Sequence, residues 1–355
     1  MLMDLTHTLP KTILLDHGSG GLASQELIST LFIRHLDNKI LSAMEDSAVI
    51  DNQPGRIAFT TDSYVVDPIF FPGGDIGTLA VHGTINDLAM RGAKPIGLSL
   101  GLILEEGLPL DDLERIIISI RDASLASGVP ILTGDTKVVP RGKADKIFIN
   151  TSGIGLVAED VNITSLNARA GDKIILSGAM GDHGITIMTR RAGIALDGNL
   201  RSDSMALHTL VQKLLTGLPA GSLHTLRDPT RGGVATTLCE IANSCGLHIE
   251  IEEDRIPVRA EVRAACEILG LDPLYLANEG KCLAMVAPEY ADQALALFHS
   301  CPEGAEAAII GTLSAGSHDP KTSLSGASRR VTLKTTIGGT RVITPLHGAP
   351  LPRIC

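Results

Sequence analysis

The chemistry that this sequence could perform rests first on a thiol. The sequence stops at Cys355, and the segment before it, residues 344–352, holds three prolines and a glycine. Because prolines disfavour helices and central strands, we expect an extended arm that could carry the thiol into a pocket and out again. The alternative is an end without fixed structure, which is common at chain termini.

Four carboxylates could form a second reactive group. Asp46, Asp62, Asp87 and Asp135 each interrupt an otherwise apolar segment of the amino-terminal half. A buried carboxylate is costly unless it is paired or bound to a metal ion. If the four converge on one cleft, they form a site of hard oxygen ligands suited to Mg²⁺ shared with phosphates. The alternative is that each caps a helix or a turn separately.

A glycine-rich segment is a candidate anion site. DHGSGG, at residues 16–21, precedes a stretch at 22–36 whose apolar residues recur with the helical period. Such a turn exposes backbone N–H groups that could hold an anion, or it is an ordinary loop. The chain has no Walker A motif, because neither glycine–lysine pair, at 142–143 or 280–281, is followed by Ser or Thr.

Composition argues against several classes of protein. The net charge is −10, the sequence pI is about 5.5 and there is no Trp, so nucleic acid is not expected as a partner. The most apolar run, residues 95–104, is too short to span a bilayer, and residues 1–11 lack the pattern of a secretory signal. We therefore expect a cytoplasmic protein with no membrane partner. The six cysteines form no CxxC pair, which argues against a zinc site.

Predicted strands and helices alternate, with hairpin-like returns, along both halves of the 355 residues. The pattern indicates a mixed α/β, or α+β, sandwich in each half, and the length favours two domains. TGDTKVV, at residues 133–139, is expected to follow a short strand at 129–132. The last predicted strand covers residues 331–334.

Several motifs resemble the aminoimidazole ribonucleotide synthetase superfamily, whose members bind ATP without a Walker A loop. The motifs that resemble its two domains are, in chain order, EDSAVI (45–50), TTDSYVVDP (60–68), NDLAMRGAKP (86–95), TGDTKVV and GDKIILSGAMGD (171–182). A second set resembles, within that superfamily, the HypE family of hydrogenase-maturation proteins. It comprises DHGSGG, FFPGGDIG (70–77), LEEGLP (104–109), RDPTRGGV (227–234), NEGK (278–281) and PLPRIC (350–355).

The resemblance implies an ATP-dependent dehydratase that acts on its own terminal thiol. A partner, HypF, would place a carbamoyl group on Cys355, and phosphorylation of the carboxamide oxygen by ATP would lead to a thiocyanate. The cyanide would pass to iron on a HypC–HypD complex. ATP and Mg²⁺ are the implied cofactors, and a homodimer is implied. Two alternatives remain open: a small-molecule kinase or synthetase of the same superfamily, and a thiol carrier that uses nucleotide only as a switch.

The resemblance also implies roles for individual residues. Asp62, Asp87, Asp135 and Asp46 would surround Mg²⁺ and the triphosphate. Lys137 would hold the γ-phosphate or the carbamoyl oxygen, and Glu279 would act as a base or orient the amide nitrogen, which makes both catalytic together with Cys355. The remaining residues implied at the nucleotide are His17, Gly18, Ser19, Gly20, Gly21, Asp228 and Arg231.

The implied architecture is a two-domain α/β (α+β) fold. An amino-terminal mixed sheet would pair in a dimer, and a carboxy-terminal α/β sandwich would follow. We expect a glycine-rich loop and helix over residues 1–40, an ATP-binding domain over 41–160, a second domain over 161–334 and a flexible tail over 335–355.

Overall fold

The computed structural model describes residues 10–18, 22–44, 48–50, 55–194, 199–315, 331–346 and 352–355. Four of the predicted site residues, Ser19, Gly20, Gly21 and Asp46, lie outside this part of the chain. None of the helices in the described ranges is long and apolar enough to cross a membrane. Two sheets, each covered by helices, form the framework.

The strands of the amino-terminal half are β1 (Arg56–Tyr64), β2 (Phe70–Phe71), β3 (Gly74–Asp75), β4 (Lys94–Glu105), β5 (Ile131–Val139) and β6 (Ile147–Val157). The short β2 and β3 pair with each other, and the other four form one sheet in the order β1-β6-β4-β5. Within this sheet β4 and β5 run parallel, whereas the other neighbours are antiparallel. TGDTKVV therefore lies on β5 rather than after a strand.

The helices of this half are α1 (Leu22–Leu27), α2 (Arg34–Leu36), α3 (Ile76–Ala89) and α4 (Leu110–Ser127). A π-helical segment, Ile28–Ile33, joins α1 to α2, so the predicted helix over 22–36 is confirmed. Helix α4 packs through residues spaced three and four apart, of which Leu113, Ile116 and Ile120 are fully buried.

Helix α3 is held at its start by a capping box. The Asp75 carboxylate accepts hydrogen bonds from the backbone N–H groups of Gly77 (2.8 Å) and Thr78 (3.0 Å), and the Thr78 hydroxyl accepts one from the Asp75 N–H. Such a cap contributes about 0.5–2 kcal/mol to stability. It fixes the helix that carries Asp87 over the sheet.

The side chains of β1 alternate between two environments. Thr60 and Tyr64 face α3, where the Thr60 hydroxyl donates to Asp87 and the Tyr64 hydroxyl lies 3.4 Å from the Thr84 hydroxyl. Asp62 shares that face by the same alternation. Phe59, on the opposite face, is 68 % exposed, so one face of this sheet is open.

The strands of the carboxy-terminal half are β7 (Lys173–Leu176), β8 (Leu223–Arg227), β9 (His248–Glu252), β10 (Leu283–Val286), β11 (Ala308–Ser314), β12 (Val331–Lys334) and β13 (Thr340–Ile343). They form one sheet in the order β13-β12-β9-β11-β7-β10-β8. Its neighbours are antiparallel except for the parallel pair of β9 and β12.

Helices cover both faces of this second sheet. They are α5 (Asp182–Ala192), α6 (His208–Gly217), α7 (Gly233–Cys245), α8 (Ala260–Leu269) and α9 (Ala291–His299). Leu238 of α7 shares one apolar core with Ile174 of β7, whereas Leu210 of α6 and Phe298 of α9 share another with Ile175. Adjacent residues of β7 thus enter opposite cores, and the predicted α/β sandwich is confirmed.

One buried amide joins the two halves beside Asp87. Asn86 donates to the carbonyl oxygens of Met205 (3.0 Å) and Glu279 (3.3 Å), and its Oδ1 accepts from the Leu207 N–H (2.8 Å). A buried amide left without these partners would cost about 1–3 kcal/mol. The NEGK turn is thereby tied to α3.

Within the segment 335–355, predicted as a flexible tail, the structure describes residues 335–346 and 352–355. Thr340–Ile343 forms the edge strand β13, and residues 352–355 are held by hydrogen bonds to the amino-terminal half. β13 escapes detection in the sequence because Ile343 is its one buried side chain. Backbone pairing with β12, rather than an apolar pattern, makes it a strand.

Candidate active site

The last residues of the sequence dock beside the end of β1. The Val65 N–H donates to the Cys355 carbonyl (3.0 Å), and the Arg353 Nε donates to the Val65 carbonyl (2.8 Å). The Ile354 side chain is 3 % exposed and belongs to the core of the amino-terminal half. The thiol of Cys355 is thus brought to a fixed place in the cleft between the two halves.

Glu279 of the NEGK turn lies near enough to this thiol for its charge to act on the pKa of Cys355, and Cys355 packs against the core that contains Ala277 of the same segment. Its side chain is buried, and its Oε1 has no hydrogen-bond partner among the described residues. Burial raises the pKa of Glu279 well above its usual range, and the negative charges of Asp203, Asp228 and Asp62 raise it further. A carboxyl of this kind is suited to proton transfer near neutral pH.

The docked thiol is held in its protonated form. Burial raises the pKa of Cys355 to about 12, the Glu279 charge adds to the rise, and the positive charge of Arg231 opposes it. Because the thiolate is the nucleophilic form, the docked position is a poor place for the thiol itself to attack another molecule.

Three acidic residues predicted at the site, Asp62, Asp87 and Asp228, interact through their charges in this cleft. Burial raises the pKa of Asp87, and the charge of Asp62 adds to the rise. Burial raises the pKa of Asp228 to about 7, with further contributions from Asp87 and Asp62. Their mutual repulsion would be relieved by a cation or by protonation.

Arg231 supplies positive charge to the same cleft. Its charge acts on Asp87, Glu279 and Cys355, yet it makes no ion pair with Asp228 although both residues are described. Its side chain is exposed, so the guanidinium is available for an anion, which it can grip through two donors.

The other predicted site residues form a separate group. His17, Gly18, Asp135 and Lys137 line one cavity of about 210 Å³ between the N-terminal helix and β5. Lys137 Nζ lies 2.9 Å from Asp135 Oδ1, and both side chains are largely exposed. The His17 Nδ1 accepts from the Leu14 N–H (3.1 Å).

Within a single chain, Asp135 does not lie with Asp62 and Asp87 in one site. Asp135 lies opposite Gly101, which lies opposite Asn150, which in turn lies opposite Ser63, so Asp135 shares the open face of the sheet. Asp62 faces α3 instead. In the described ranges no three His, Cys, Asp or Glu side chains could hold a metal ion together. The prediction grouped these residues because each interrupts an apolar segment. It did not take into account that side chains alternate between the two faces of a strand.

Sequence reasoning missed the residues that hold the arm. Arg191, in the last turn of α5, donates from Nη1 to the Pro352 carbonyl (2.6 Å) and from Nη2 to the Arg353 carbonyl. His183, in the first turn of the same helix, donates from Nε2 to the Ile354 carbonyl (2.7 Å). Neither has a sequence signal, because both recognise main-chain atoms.

A buried ion pair beside Glu279 was missed as well. Lys281 Nζ lies 3.2 Å from Asp203 Oδ2, and Asp203 Oδ1 accepts from the Glu279 N–H (3.1 Å). A Cβ at position 280 would lie 1.8 Å from the Asp203 carbonyl oxygen, so only glycine fits between the two charged residues. In the sequence, only the glycine of the NEGK motif could have indicated that another part of the chain packs closely here.

Comparisons with known proteins agree with this arrangement. Residues 44–157 match the model for the AIR synthase related protein, N-terminal domain, and residues 169–320 match that for its C-terminal domain. Carbamoyl dehydratase HypE of Azotobacter vinelandii is 50 % identical over 339 residues, covering 96 % of each chain.

Solved structures give the same result. A crystal structure of hydrogenase maturation protein HypE in complex with ATP is 51 % identical, covers 98 % of this chain and 100 % of its own, and superimposes with a TM-score of 0.91. A HypE chain solved in a HypE–HypF complex is 44 % identical, covers 90 % of this chain and 99 % of its own, and has a TM-score of 0.77. The chain therefore belongs to the HypE family of hydrogenase-maturation proteins.

Proposed function

We propose that this chain is an ATP-dependent carbamoyl dehydratase that acts on a carboxamide carried by its own Cys355. The observation that carries the proposal is the position of that thiol beside the buried carboxyl of Glu279. A relative of half-identical sequence is named carbamoyl dehydratase, and another was solved with ATP. The product would be a thiocyanate, which supplies cyanide for the iron of nickel–iron hydrogenase.

The reaction has to remove an amide oxygen, which is a poor leaving group. Transfer of the γ-phosphoryl group of ATP to the oxygen of S–C(=O)–NH₂ gives an imidate phosphate, S–C(OPO₃)=NH, with release of ADP and one proton from nitrogen. Cleavage of the C–O bond then releases phosphate while the second N–H proton is removed, which leaves S–C≡N. The carboxamide loses one water in total, and nothing is oxidised or reduced.

Glu279 is the proposed base for the N–H protons. A base must lie within hydrogen-bond reach, about 3 Å, of its proton, or one water away. Its Oε1 has no partner among the described residues, so it could accept an N–H of the carboxamide on the neighbouring sulfur. A raised pKa strengthens the carboxylate as a base, and the positive charge of Arg231, which lowers the pKa of Glu279, favours the ionised form.

Asp62 and Asp87 are the proposed ligands of Mg²⁺ at the phosphates. At phosphate sites this ion commonly takes one or two carboxylates and completes its shell with phosphate oxygens and water. The two residues fit, because burial and the charge of Asp62 raise the pKa of Asp87, a strain that a cation would relieve. Mg²⁺ would neutralise charge during phosphoryl transfer. Asp228 and Arg231 would bind on the same side.

A second copy of the chain is proposed to cover the open face of the amino-terminal sheet. Ile57 and Phe59 are each 68 % exposed there, and Ile103 is 43 % exposed. Large apolar side chains exposed on one face of a sheet are typical of an interaction surface. Asp135 and Lys137 lie on the same face, so pairing would place them at the interface of the dimer.

The remaining predicted residues keep their proposed roles at the nucleotide. His17 and Gly18 line the cavity that Asp135 and Lys137 enter, which supports a common phosphate-side function. Ser19, Gly20, Gly21 and Asp46 are proposed to act there too, on the strength of the family resemblance alone.

HypF is the proposed carbamoyl donor, and a HypC–HypD complex the proposed cyanide acceptor. Support for HypF comes from the solved HypE–HypF complex, whose HypE chain this protein matches over nearly its whole length. HypC–HypD follows from the iron chemistry that the product would serve.

The first prediction concerns Cys355. The intact mass of the protein, incubated with HypF, carbamoyl phosphate and ATP, is expected to gain one carbamoyl group and then to lose one water only as ATP is hydrolysed. Cys355→Ala should abolish both changes, whereas Cys245→Ala, at a half-buried thiol on α7, should abolish neither. A free small product made by the Cys355→Ala protein would establish a kinase instead, and an adduct that never loses water would establish a carrier.

The second prediction concerns the base. Glu279→Gln removes the proton acceptor but keeps the shape of the side chain, so the loss of water should slow at least about 100-fold while ATP binding stays near normal. In the wild type, the rate of water loss in single turnovers should fall as pH drops through the raised pKa of Glu279, because the protonated carboxyl cannot accept a proton. Glu289→Gln, at an exposed position, is the control. Equal loss of ATP binding and dehydration in Glu279→Gln would make Glu279 structural.

The third prediction concerns the metal ligands. Asp87→Asn keeps an oxygen for the Thr60 hydroxyl but removes the charge, so ATP hydrolysis should fall at least about tenfold and require more Mg²⁺. Asp292→Asn, at an exposed position of α9, should behave as the wild type. Unchanged ATP hydrolysis and Mg²⁺ dependence in Asp87→Asn would remove this residue from the site.

The fourth prediction concerns the dimer. Phe59→Asp places a charge on the open face and should convert a dimer to a monomer, as measured by light scattering after size-exclusion chromatography. Leu125→Asp, at a position 72 % exposed on α4, should leave the dimer intact. A wild-type protein that is monomeric at tens of micromolar would contradict the proposal.

A further inference from the structure

Helix α5 holds the docked arm through main-chain atoms. Arg191 donates from Nη1 to the Pro352 carbonyl (2.6 Å) and from Nη2 to the Arg353 carbonyl, and His183 Nε2 lies 2.7 Å from the Ile354 carbonyl. Three successive carbonyl groups of the arm are thus taken by two side chains of one helix. The Val65 N–H takes the fourth, that of Cys355 (3.0 Å).

The hydrogen-bonding direction at His183 follows from its partners. A carbonyl can only accept, so the Nε2 of His183 carries the proton. The Nδ1 then accepts from the Ser202 hydroxyl, 2.8 Å away. The Ile354 carbonyl therefore sets the tautomer, and the Ser202 hydroxyl, which can donate or accept, adapts to it. The ring is buried and packs edge-on against Phe71, which keeps its plane in place.

Arg191 also connects the arm to the chain that follows β1. Its Nε donates to the Asp67 carbonyl (2.5 Å), while its two terminal nitrogens hold the arm. A guanidinium supplies its donors in a rigid planar fork, which a lysine ammonium does not reproduce. One side chain therefore sets the spacing between the arm and the residues that directly follow β1, the strand that carries Asp62.

We propose that Arg191 and His183 are positioning residues that hold the arm with Cys355 at Glu279, and that they act on the main chain whatever group the sulfur carries. This inference rests on the proposed function, in which Cys355 bears the reacting carboxamide. Every contact named above is to a carbonyl group, so adding a carbamoyl group to the sulfur removes none of them. Free and carbamoylated arms can dock alike.

Docking and loading then compete. The thiol must leave the cleft to react with a carbamoyl donor, because in the docked state Cys355 is half-buried and near enough to the Glu279 carboxyl for that charge to raise its pKa. The loaded arm must return for dehydration. We call the hydrogen bonds from Arg191 and His183 to the arm the clasp. Weakening the clasp should speed the loading of the thiol and slow the loss of water, whereas general damage to the fold should slow both.

The test measures docking without ATP or a partner. In the full-length protein, the alkylation rate of Cys355 by iodoacetamide is followed by peptide-resolved mass spectrometry. Arg191→Met should raise that rate at least about tenfold, because two hydrogen bonds from a charged donor to the arm are lost. Cys245, half-buried on α7, reports whether the fold is intact and should keep its rate.

Arg190→Met is the matched control. Arg190 is the exposed neighbour of Arg191 on the same helix, and its side chain makes no hydrogen bond to the described part of the arm. This variant should alkylate at the wild-type rate. An unchanged Cys355 rate in Arg191→Met, with an unchanged Cys245 rate, would overturn the proposal.

A second variant decides the matter if Arg191→Met loses its fold. Arg191→Lys keeps the charge but cannot supply all three bonds, so hydrogen exchange of the Val65 amide should accelerate while amides in β6 stay protected. Unchanged exchange at Val65 would overturn the proposal. In single turnovers with HypF and ATP, Arg191→Lys should speed carbamoylation and slow water loss, and slowing of both would show a structural role instead.

These outcomes are separable from the proposed function. Alkylation and hydrogen exchange respond to docking alone, so they can support the clasp even if Cys355 is never dehydrated. Dehydration that proceeds normally in Arg191→Met would leave the proposed function standing and refute the clasp.

Discussion

Negative charge buried between the two halves is the constraint on which the rest of the cleft depends. Asp203 is neutralised by Lys281 at 3.2 Å and accepts the N–H of Glu279. Glu279 forms no ion pair with any residue in the described part of the chain, and burial and its acidic neighbours raise its pKa. Isolated buried charge is expensive, and proteins retain it where a reaction uses it.

The arm meets this charge through its backbone. Arg191 and His183 take carbonyl groups, and Ile354 fills a place in the amino-terminal core. These contacts leave the sulfur of Cys355 as the variable part of the docked arm. Such a division would suit the proposed reaction on the chain's own thiol, because the means of binding would not change as the bound group is transformed.

The alternation of side chains along the strands of the amino-terminal sheet separates the proposed phosphate-binding residues into two groups. Asp62 joins Asp87 under α3, whereas Asp135 and Lys137 face the open side. The same face exposes Ile57 and Phe59, whose burial by a second copy would remove apolar surface from water. Under the proposed function, the sheet would offer one face to catalysis within the chain and the other to a second copy.

The amino-acid order alone was enough to determine the fold class, the helix over residues 22–36 and the lack of a Walker A loop, and it singled out Asp62, Asp87, Glu279 and Cys355 as candidates. These follow from local periodicity and from short motifs, which do not require knowledge of distant contacts. That Asp62 and Asp135 lie on opposite faces of the sheet could be seen only from the register of β1, β6, β4 and β5, which pair across long stretches of the chain.

The clasp on the arm could be found only in three dimensions. Arg191 and His183 bind carbonyl groups, which every residue possesses, so no residue type in the arm announces its partner. The ion pair of Lys281 with Asp203 likewise joins residues 78 positions apart in the numbering. Tertiary packing decided which charges are buried together, and thereby that the carboxyl whose charge acts on the Cys355 thiol is that of Glu279.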